Sequence, residues 1–219
     1  MSGGVKARRR YESPRRRDQA AQTRNDIVAA AGTLFRSRGY AATSMPLIAS
    51  EAGVVVETIY RAFGSKAGLF RAVMEAVLAG GSSRAEVTVE DRPAIRAVID
   101  EPDPRRQVER YVATQPGIHR RAGPLLRALV GAVATDPELK ALWEEMEAWR
   151  LEGQGRFVKM LADRHVLREG LTFETARDVV WTLCSLAVYD LLVVSRGWTS
   201  AQYQEWLTAA LIREVLPTD

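Results

Sequence analysis

Between residues 43 and 70 the chain reads TSMPLIASEAGVVVETIYRAFGSKAGLF. This segment admits only short helices. Thr43 and Ser44 are good N-caps, with Pro46 tolerated in the first turn that follows. The helix they start carries Leu47, Ile48 and Ala49 and must end by Gly53, which supplies the positive φ that a tight turn needs. A second, very short helix is expected over residues 55–62. Ser65 then caps a third that carries Leu69, Phe70, Val73, Ala76 and Val77 on one side. Two short helices joined through a glycine turn describe a helix-turn-helix. Leu47, Ile48, Ala52, Val54, Ile59 and Phe63 are its candidate core, and Val56, Glu57, Thr58, Tyr60 and Arg61 are expected to face outward.

The flanking sequence is helical too. Ile27, Ala30, Ala31, Leu34 and Phe35 recur at the spacing of one helix face, and Gly39 stops that helix. Gly80-Gly81-Ser82-Ser83 breaks the chain or marks a joint. Asp103-Pro104 and Asp136-Pro137 are starts of the cap-then-proline type, and Pro116-Gly117 is expected to interrupt a helical pattern. Long helices are expected over residues 137–165 and 173–194. Thr199 with Gln202 forms a capping box for a last helix to about residue 216. No run alternates with period two between turns, so the expected fold class is all-α. The expected divisions are a basic disordered arm (1–17), a helix-turn-helix DNA-binding domain (18–64), a connecting helix (65–80), and a further helical domain (81–219).

Charge is unevenly distributed. The net charge is +4, but residues 1–24 alone carry +6, largely from Arg8, Arg9, Arg10, Arg15, Arg16 and Arg17. The remainder is slightly acidic. Such an arm suits a polyanion or an anionic membrane, or is a solvated tail. The single cysteine, Cys184, permits no internal disulfide and fits a reducing cytosol. No signal peptide is visible, and the longest apolar run, residues 179–194, contains Asp190. At 16 residues it is short of the roughly 20 that a membrane span needs. The expected location is therefore cytoplasmic, at the nucleoid when DNA is bound.

The segment resembles the DNA-binding domain of the tetracycline-repressor (TetR) family. The shared pattern is Phe35-Arg36-Ser37-Arg38-Gly39-Tyr40, Thr43-Ser44, Ile48-Ala49, Ala52-Gly53-Val54, Thr58-Ile59-Tyr60, Phe63, Ser65-Lys66 and Leu69-Phe70. The resemblance covers residues 24–78 and implies that the helical domain over 81–219 is a ligand-binding and dimerisation domain. It implies that Thr43, Ser44, Tyr60 and Lys66 contact phosphates, and that Val56, Glu57 and Thr58 meet base edges. Arg61 goes to guanine or to phosphate. Two positions depart from the family pattern. Val55 stands where Ser often caps the recognition helix, and Glu57 stands where a small residue is common. Glu57 either reads a cytosine amine or is a solvated charge braced by Arg61. The arginine arm would lie along the adjacent minor groove.

In this family the last two long helices pair with their copies, which implies a homodimer interface. Its candidate residues are Val180, Leu183, Ala187, Leu191 and Val194, with Tyr203, Trp206, Leu207, Ala210 and Leu211. The alternative is an ordinary monomer core. A ligand pocket would draw on Tyr111, His119, Leu126, Trp143, Met146, Trp149, Phe157, Met160 and Trp181, all of which are equally plausible as core. His119 and His165 are expected at the surface or with their hydrogen bonds satisfied. No metal site or cofactor is expected. No Gly-x-Ser-x-Gly, His-Glu-x-x-His or Walker motif is present, and Gly153-Gln154-Gly155 lacks the context of a phosphate loop, so no enzyme is expected. The expected function is a homodimeric regulator, most simply a repressor, released from a palindromic operator by a small hydrophobic or aromatic effector. The alternatives are a ligand-independent DNA-binding or architectural protein and a membrane-surface protein using the basic arm.

Overall fold

The computed structural model describes residues 14–81, 87–134 and 137–217, with residues 14–17 and 132 described by backbone alone. Among the described residues all regular structure is helical. The elements are α1 (Pro14–Arg38), α2 (Met45–Ala52), α3 (Val56–Phe63), α4 (Lys66–Ala79), α5 (Pro93–Ile99), α6 (Pro104–Val133) and α7 (Pro137–Ala162). They continue with α8 (Phe173–Leu183), α9 (Leu186–Tyr189), a π-helical segment (Asp190–Ser195) and α10 (Ser200–Val215). Arg15, Arg16 and Arg17 fall in the first turn of α1. Arg8, Arg9, Arg10, Ser82, Ser83 and Asp136 lie outside the described residues.

Two apolar cores organise these helices. The first gathers Ile27, Ala31, Phe35, Ile48, Ile59, Leu69, Phe70 and Val73 from α1–α4. It also takes in Ala122, Leu125 and Leu129 near the end of α6 and Leu139 and Leu142 at the start of α7. The second joins Val108 and Val112 of α6, Phe157 and Leu161 of α7, Val180 of α8, and Tyr203, Leu207 and Leu211 of α10. The 30-residue α6 thus serves both cores, over a length of about 45 Å. Helix α4 packs on α1, α3, α6 and α7, so it links the helix-turn-helix to the rest.

Local chemistry explains where most helices begin and end. Ser44, Ser65, Thr172 and Ser185 each accept an N–H in the first turn of the helix they precede. Thr199 and Gln202 form the expected capping box. Gly53 and Gly80 close α2 and α4 in the left-handed region at φ 65° and 85°.

Two expectations fail. Pro116 does not interrupt α6; it lies inside the helix, as does Pro124. A buried proline in mid-helix costs about 3 kcal/mol, and burial of α6 along both cores offsets that. The stretch expected as one helix over 173–194 is broken at Cys184. Ser185 adopts extended geometry (φ −75°, ψ 153°) and its hydroxyl accepts from the Val188 N–H at 3.2 Å, restarting the chain as α9. The most apolar 18-residue window of Phe173–Ser195 has a mean hydropathy of 1.6, long and apolar enough to cross a membrane by composition. The capped break means that these residues do not form one continuous α-helix.

The turn between α3 and α4 is set by Gly68. A Cβ there would stand 2.2 Å from the Phe63 carbonyl oxygen, a backbone atom that cannot yield without moving α3. Gly131→Ala is the matched control, because a Cβ at Gly131 meets nothing within 4 Å. Gly68→Ala should lower the urea midpoint by the equivalent of about 1–3 kcal/mol. Gly131→Ala should raise it by about 0.5–1 kcal/mol.

Candidate functional site

Helix α3 carries the candidate recognition surface. Ile59 is fully buried and anchors it, Phe63 packs partly buried against the same core, and Val55, Glu57, Tyr60 and Arg61 are exposed. Val55 is 64% exposed and Tyr60 49%, a large apolar and aromatic outlay for a surface helix. Val55 takes the N-cap position with no side-chain hydrogen bond, as its side chain dictates. Val56 and Thr58 are half-buried. Glu57 sits in the first turn, where a carboxylate suits the helix dipole. It is not braced by Arg61: the Arg61 guanidinium donates instead to Thr58 Oγ1 at 3.3 Å. Arg24, read from sequence only as part of the basic arm, caps the far end of α3. It donates to the Ala62 carbonyl at 3.0 Å and lies 4.3 Å over the Phe63 ring. A groove of about 420 Å³ runs between α1 and α3, lined by Thr23, Arg24, Thr58 and Arg61 among others.

The proposed phosphate anchors divide. Ser44 is exposed, and its oxygen caps α2. Tyr60 presents its ring to solvent. Lys66 stands at the first position of α4 with its ammonium 4.1 Å over the Tyr40 ring. Thr43 must be corrected. It is fully buried, its hydroxyl donates to the Gly39 carbonyl at 2.8 Å, and its N–H bonds the Tyr40 carbonyl at 3.2 Å. Both groups close the C-terminus of α1, so Thr43 positions the domain and does not reach out of it.

The residues grouped as a ligand pocket also separate. Leu126, Trp143 and Met146 pack on the first core, and Trp149 is 41% exposed near the Arg71 guanidinium. None of these four is among the side chains packed on the second core. Tyr111, His119 and Phe157 are buried in the second half of the scaffold, and Met160 and Trp181 are half-buried. Tyr111 and Phe157 stack face to face at 3.8 Å, and His119 stacks on Tyr189 at 4.8 Å. Tyr203 meets both His119 and Tyr189 edge-on.

His119 is neither at the surface nor satisfied. It is 5% exposed, and its Nε2 has no hydrogen-bond partner. Gln154 Oε1, Trp181 Nε1 and the Tyr203 hydroxyl are likewise buried without partners. Arg150 lies beside them, held by Glu147 at 2.7 Å, by the Trp181 carbonyl at 2.7 Å, and over the Trp181 ring at 4.4 Å. Burial, helped by the Arg150 charge, pulls the His119 imidazole down to about 4, so it is neutral near pH 7. Burial pushes the Cys184 thiol up to about 12 and raises the Tyr111 and Tyr203 phenols, so none of these ionises at neutral pH. Sequence reasoning missed Gln154, Tyr189 and Arg150. The available signal was Gln154 between two glycines within an otherwise ordinary helix.

The candidate dimer face needs a similar division. Val180, Tyr203, Leu207 and Leu211 are fully buried within one chain and Ala210 nearly so, because α10 packs on α6 and α8, and α8 packs on α7 as well. Leu183 and Trp206 are half-buried, Ala187 is exposed, and Leu191 and Val194 are 63% and 60% exposed on the π-helical segment. Asp190 of that segment is held to Arg127 of α6 at 2.8 Å.

Residues 27–73 match the family model described as "Bacterial regulatory proteins, tetR family". No curated protein matches the chain significantly in sequence. Solved structures share its fold along nearly their whole length. One, from Mesorhizobium loti and assigned to the TetR-family transcriptional regulators, is 20% identical with a TM-score of 0.66, covering 89% of this chain and 96% of that one. Another is NalD, the secondary repressor of the MexAB-OprM multidrug efflux pump in Pseudomonas aeruginosa. It is 22% identical with a TM-score of 0.64, covering 90% and 98% of the two chains. A transcriptional regulator from Saccharomonospora viridis, solved with choline, is 18% identical at a TM-score of 0.63, covering 90% and 98%. Residues 27–73 thus carry the tetR-family helix-turn-helix DNA-binding domain, and the chain as a whole shares the fold of solved structures described as TetR-family transcriptional regulators.

Proposed function

We propose that the protein is a homodimeric transcriptional repressor that leaves a palindromic operator when a small effector enters the scaffold. The observation that carries the DNA half of this reading is the exposed face of α3, held on a helix anchored from the other side by the fully buried Ile59. A helix so presented enters the major groove with its first residues at the base edges. In this reading Ser44, Tyr60 and Lys66 meet phosphate, while Val55, Val56, Glu57, Thr58 and Arg61 face the bases. Tyr60→Phe should weaken binding to all sequences alike, and Glu57→Ala should change the preferred base at one or two positions. Selection from random DNA measures both. An altered base preference in Tyr60→Phe, or an unaltered one in Glu57→Ala, would contradict the assignment.

The dimer reading rests on apolar surface left in solvent. Only 17% of the most apolar window of Phe173–Ser195 is buried within one chain. A groove of about 470 Å³ also lies open between α8 and α10, lined by Val179, Leu183 and Trp206. A second copy of the same surface would cover both, and twofold pairing would set two recognition helices at the spacing of operator half-sites. Leu191→Glu with Val194→Glu should convert the dimer to monomer in sedimentation equilibrium and lower operator affinity at least tenfold. A dimer that survives both changes places the interface elsewhere.

The effector reading is supported by the buried polar groups of the second core. A neutral aromatic molecule with a donor and an acceptor would serve His119, Gln154, Trp181 and Tyr203. Two structural neighbours support this reading, one solved in complex with choline and one called a flavonoid-responsive regulator. The site has a pH signature. His119 is neutral in the folded chain down to about 4 but takes a proton near pH 6.5 when unfolded. Stability should therefore be full above pH 6.5 and fall as the pH drops toward 4, by about 3 kcal/mol in all. Glu101, held below the usual carboxylate range by Arg110, adds its own loss only further into acid. Urea titrations of the wild type and His119→Gln across this window isolate the histidine, and parallel curves would refute its burial as a neutral group.

A further inference from the structure

We propose that the groove between α1, α4 and α6 binds a small amphipathic anion, a molecule with an apolar tail and one negatively charged head. The groove holds about 410 Å³, within the range of small-molecule sites. Its floor is apolar, built from Val28 of α1, Val73 and Val77 of α4, and Pro124 of α6. Gly32 keeps that floor close-set: a Cβ there would press on Val73 Cγ1 at 3.3 Å.

The rim is cationic. Arg36, Arg120 and Arg121 line the groove and are all exposed. The Arg36 guanidinium lies back along α1, its Nη1 only 3.4 Å from where a Gly32 Cβ would be. Arg121 donates to the Val77 carbonyl at 3.1 Å, which holds it at the α4 side. Among the described residues no carboxylate pairs with any of the three, although Arg71, Arg96, Arg110, Arg127, Arg150, Arg156, Arg177 and Arg213 all have acidic partners. Three uncompensated cations over an apolar floor exclude an organic cation and give a neutral hydrocarbon no electrostatic gain. An anionic head among the arginines, with its tail on the valines, satisfies both surfaces.

The position gives the site a consequence. Helices α1 and α4 belong to the core that carries α3, while α6 runs on into the second core. A molecule lying in the groove touches both bodies at their joint. This site is separate from the buried polar cluster and does not depend on its assignment.

Octanoate is the probe, with 1-octanol and octyltrimethylammonium as matched molecules lacking the negative charge. Isothermal titration should detect octanoate and neither of the others at the same concentration. Arg36→Gln with Arg120→Gln removes two exposed charges and should weaken octanoate roughly tenfold. Ala29→Phe fills the groove from its exposed edge while leaving the charges, and should weaken octanoate at least as much. Tyr203→Phe, in the second core, should leave octanoate binding unchanged. Melting curves establish that each variant is folded. Octanol binding as tightly as octanoate, undiminished octanoate binding in either groove variant, or loss in Tyr203→Phe alone would each overturn the proposal. So would a double glutamine variant that loses affinity for DNA of every sequence yet keeps octanoate, since its arginines would then be phosphate contacts.

Discussion

The packing of Phe35, Tyr40 and Phe70 is the contact on which the rest of the molecule depends. Tyr40 stacks on Phe35 at 5.4 Å, and Phe70 meets both edge-on at 5.2 and 5.5 Å. The three rings come from the end of α1, the turn that follows it and the first turns of α4, so they set the angle between these helices. Deleting such a ring from a core costs about 3–5 kcal/mol, comparable with the whole stability of a small domain. The Tyr40 ring also receives the Lys66 ammonium at 4.1 Å. The same ring that closes the core therefore also places the cation at the start of α4. Thr43 completes this corner by hydrogen-bonding the last carbonyls of α1, which lets α2 leave in a defined direction.

Beyond that corner the molecule is held together by shared helices instead of a linker. α6 contributes Leu125 and Leu129 to one core and Val108 and Val112 to the other. α7 does the same with Leu142 and Phe157, and Arg71 of α4 pairs with Glu145 of α7 between them. A change in how α6 sits in the second core is thereby a change in what α4 leans on. The second core is the less settled of the two. Each buried polar group without a partner costs about 1–3 kcal/mol, and four such groups, His119 Nε2, Gln154 Oε1, Trp181 Nε1 and the Tyr203 hydroxyl, lie in this half of the molecule, where Tyr203 meets His119 and Tyr189 edge-on. Face-to-face stacking of Tyr111 on Phe157 is also the least favoured arrangement of two rings. A core with such features retains free energy that a fitting guest would recover.

The helices were legible because their signals are local. Ser65, Thr172 and Thr199 announce themselves by chemistry that acts within one turn, and Gly53 by a backbone angle. The family resemblance was legible for the same reason, since its positions lie close together in the chain. What could not be read were choices made at a distance. Periodicity marks one face of α10 as apolar but not its partner, so it leaves Tyr203, Leu207 and Leu211 open between a dimer face and a monomer core, and within one chain they are fully buried. Thr43 has the composition of a surface cap, and only the fold returns it to Gly39. Pro116 and Pro124 break helices in isolation, yet in α6 the burial of neighbouring turns outweighs their cost. Ser185 shows the converse: a local cap strong enough to split an apolar run that hydropathy alone reads as continuous.

These features together locate where a signal would have to pass. The exposed apolar residues Leu191 and Val194 belong to the segment pinned to α6 by Arg127 and Asp190. The exposed recognition face belongs to α3, which touches the scaffold through α4. In the proposed dimer the twofold axis is therefore fixed at the second core, while the reading heads hang from the first. The spacing between heads then depends on the angle between α4 and α6. Both the buried polar cluster and the arginine-rimmed groove border α6, one on each side of that joint. A ligand at either place has no need to reach the DNA-facing surface. It only has to favour one setting of α6 against α4 over another, and the rigid aromatic corner carries that setting outward to α3.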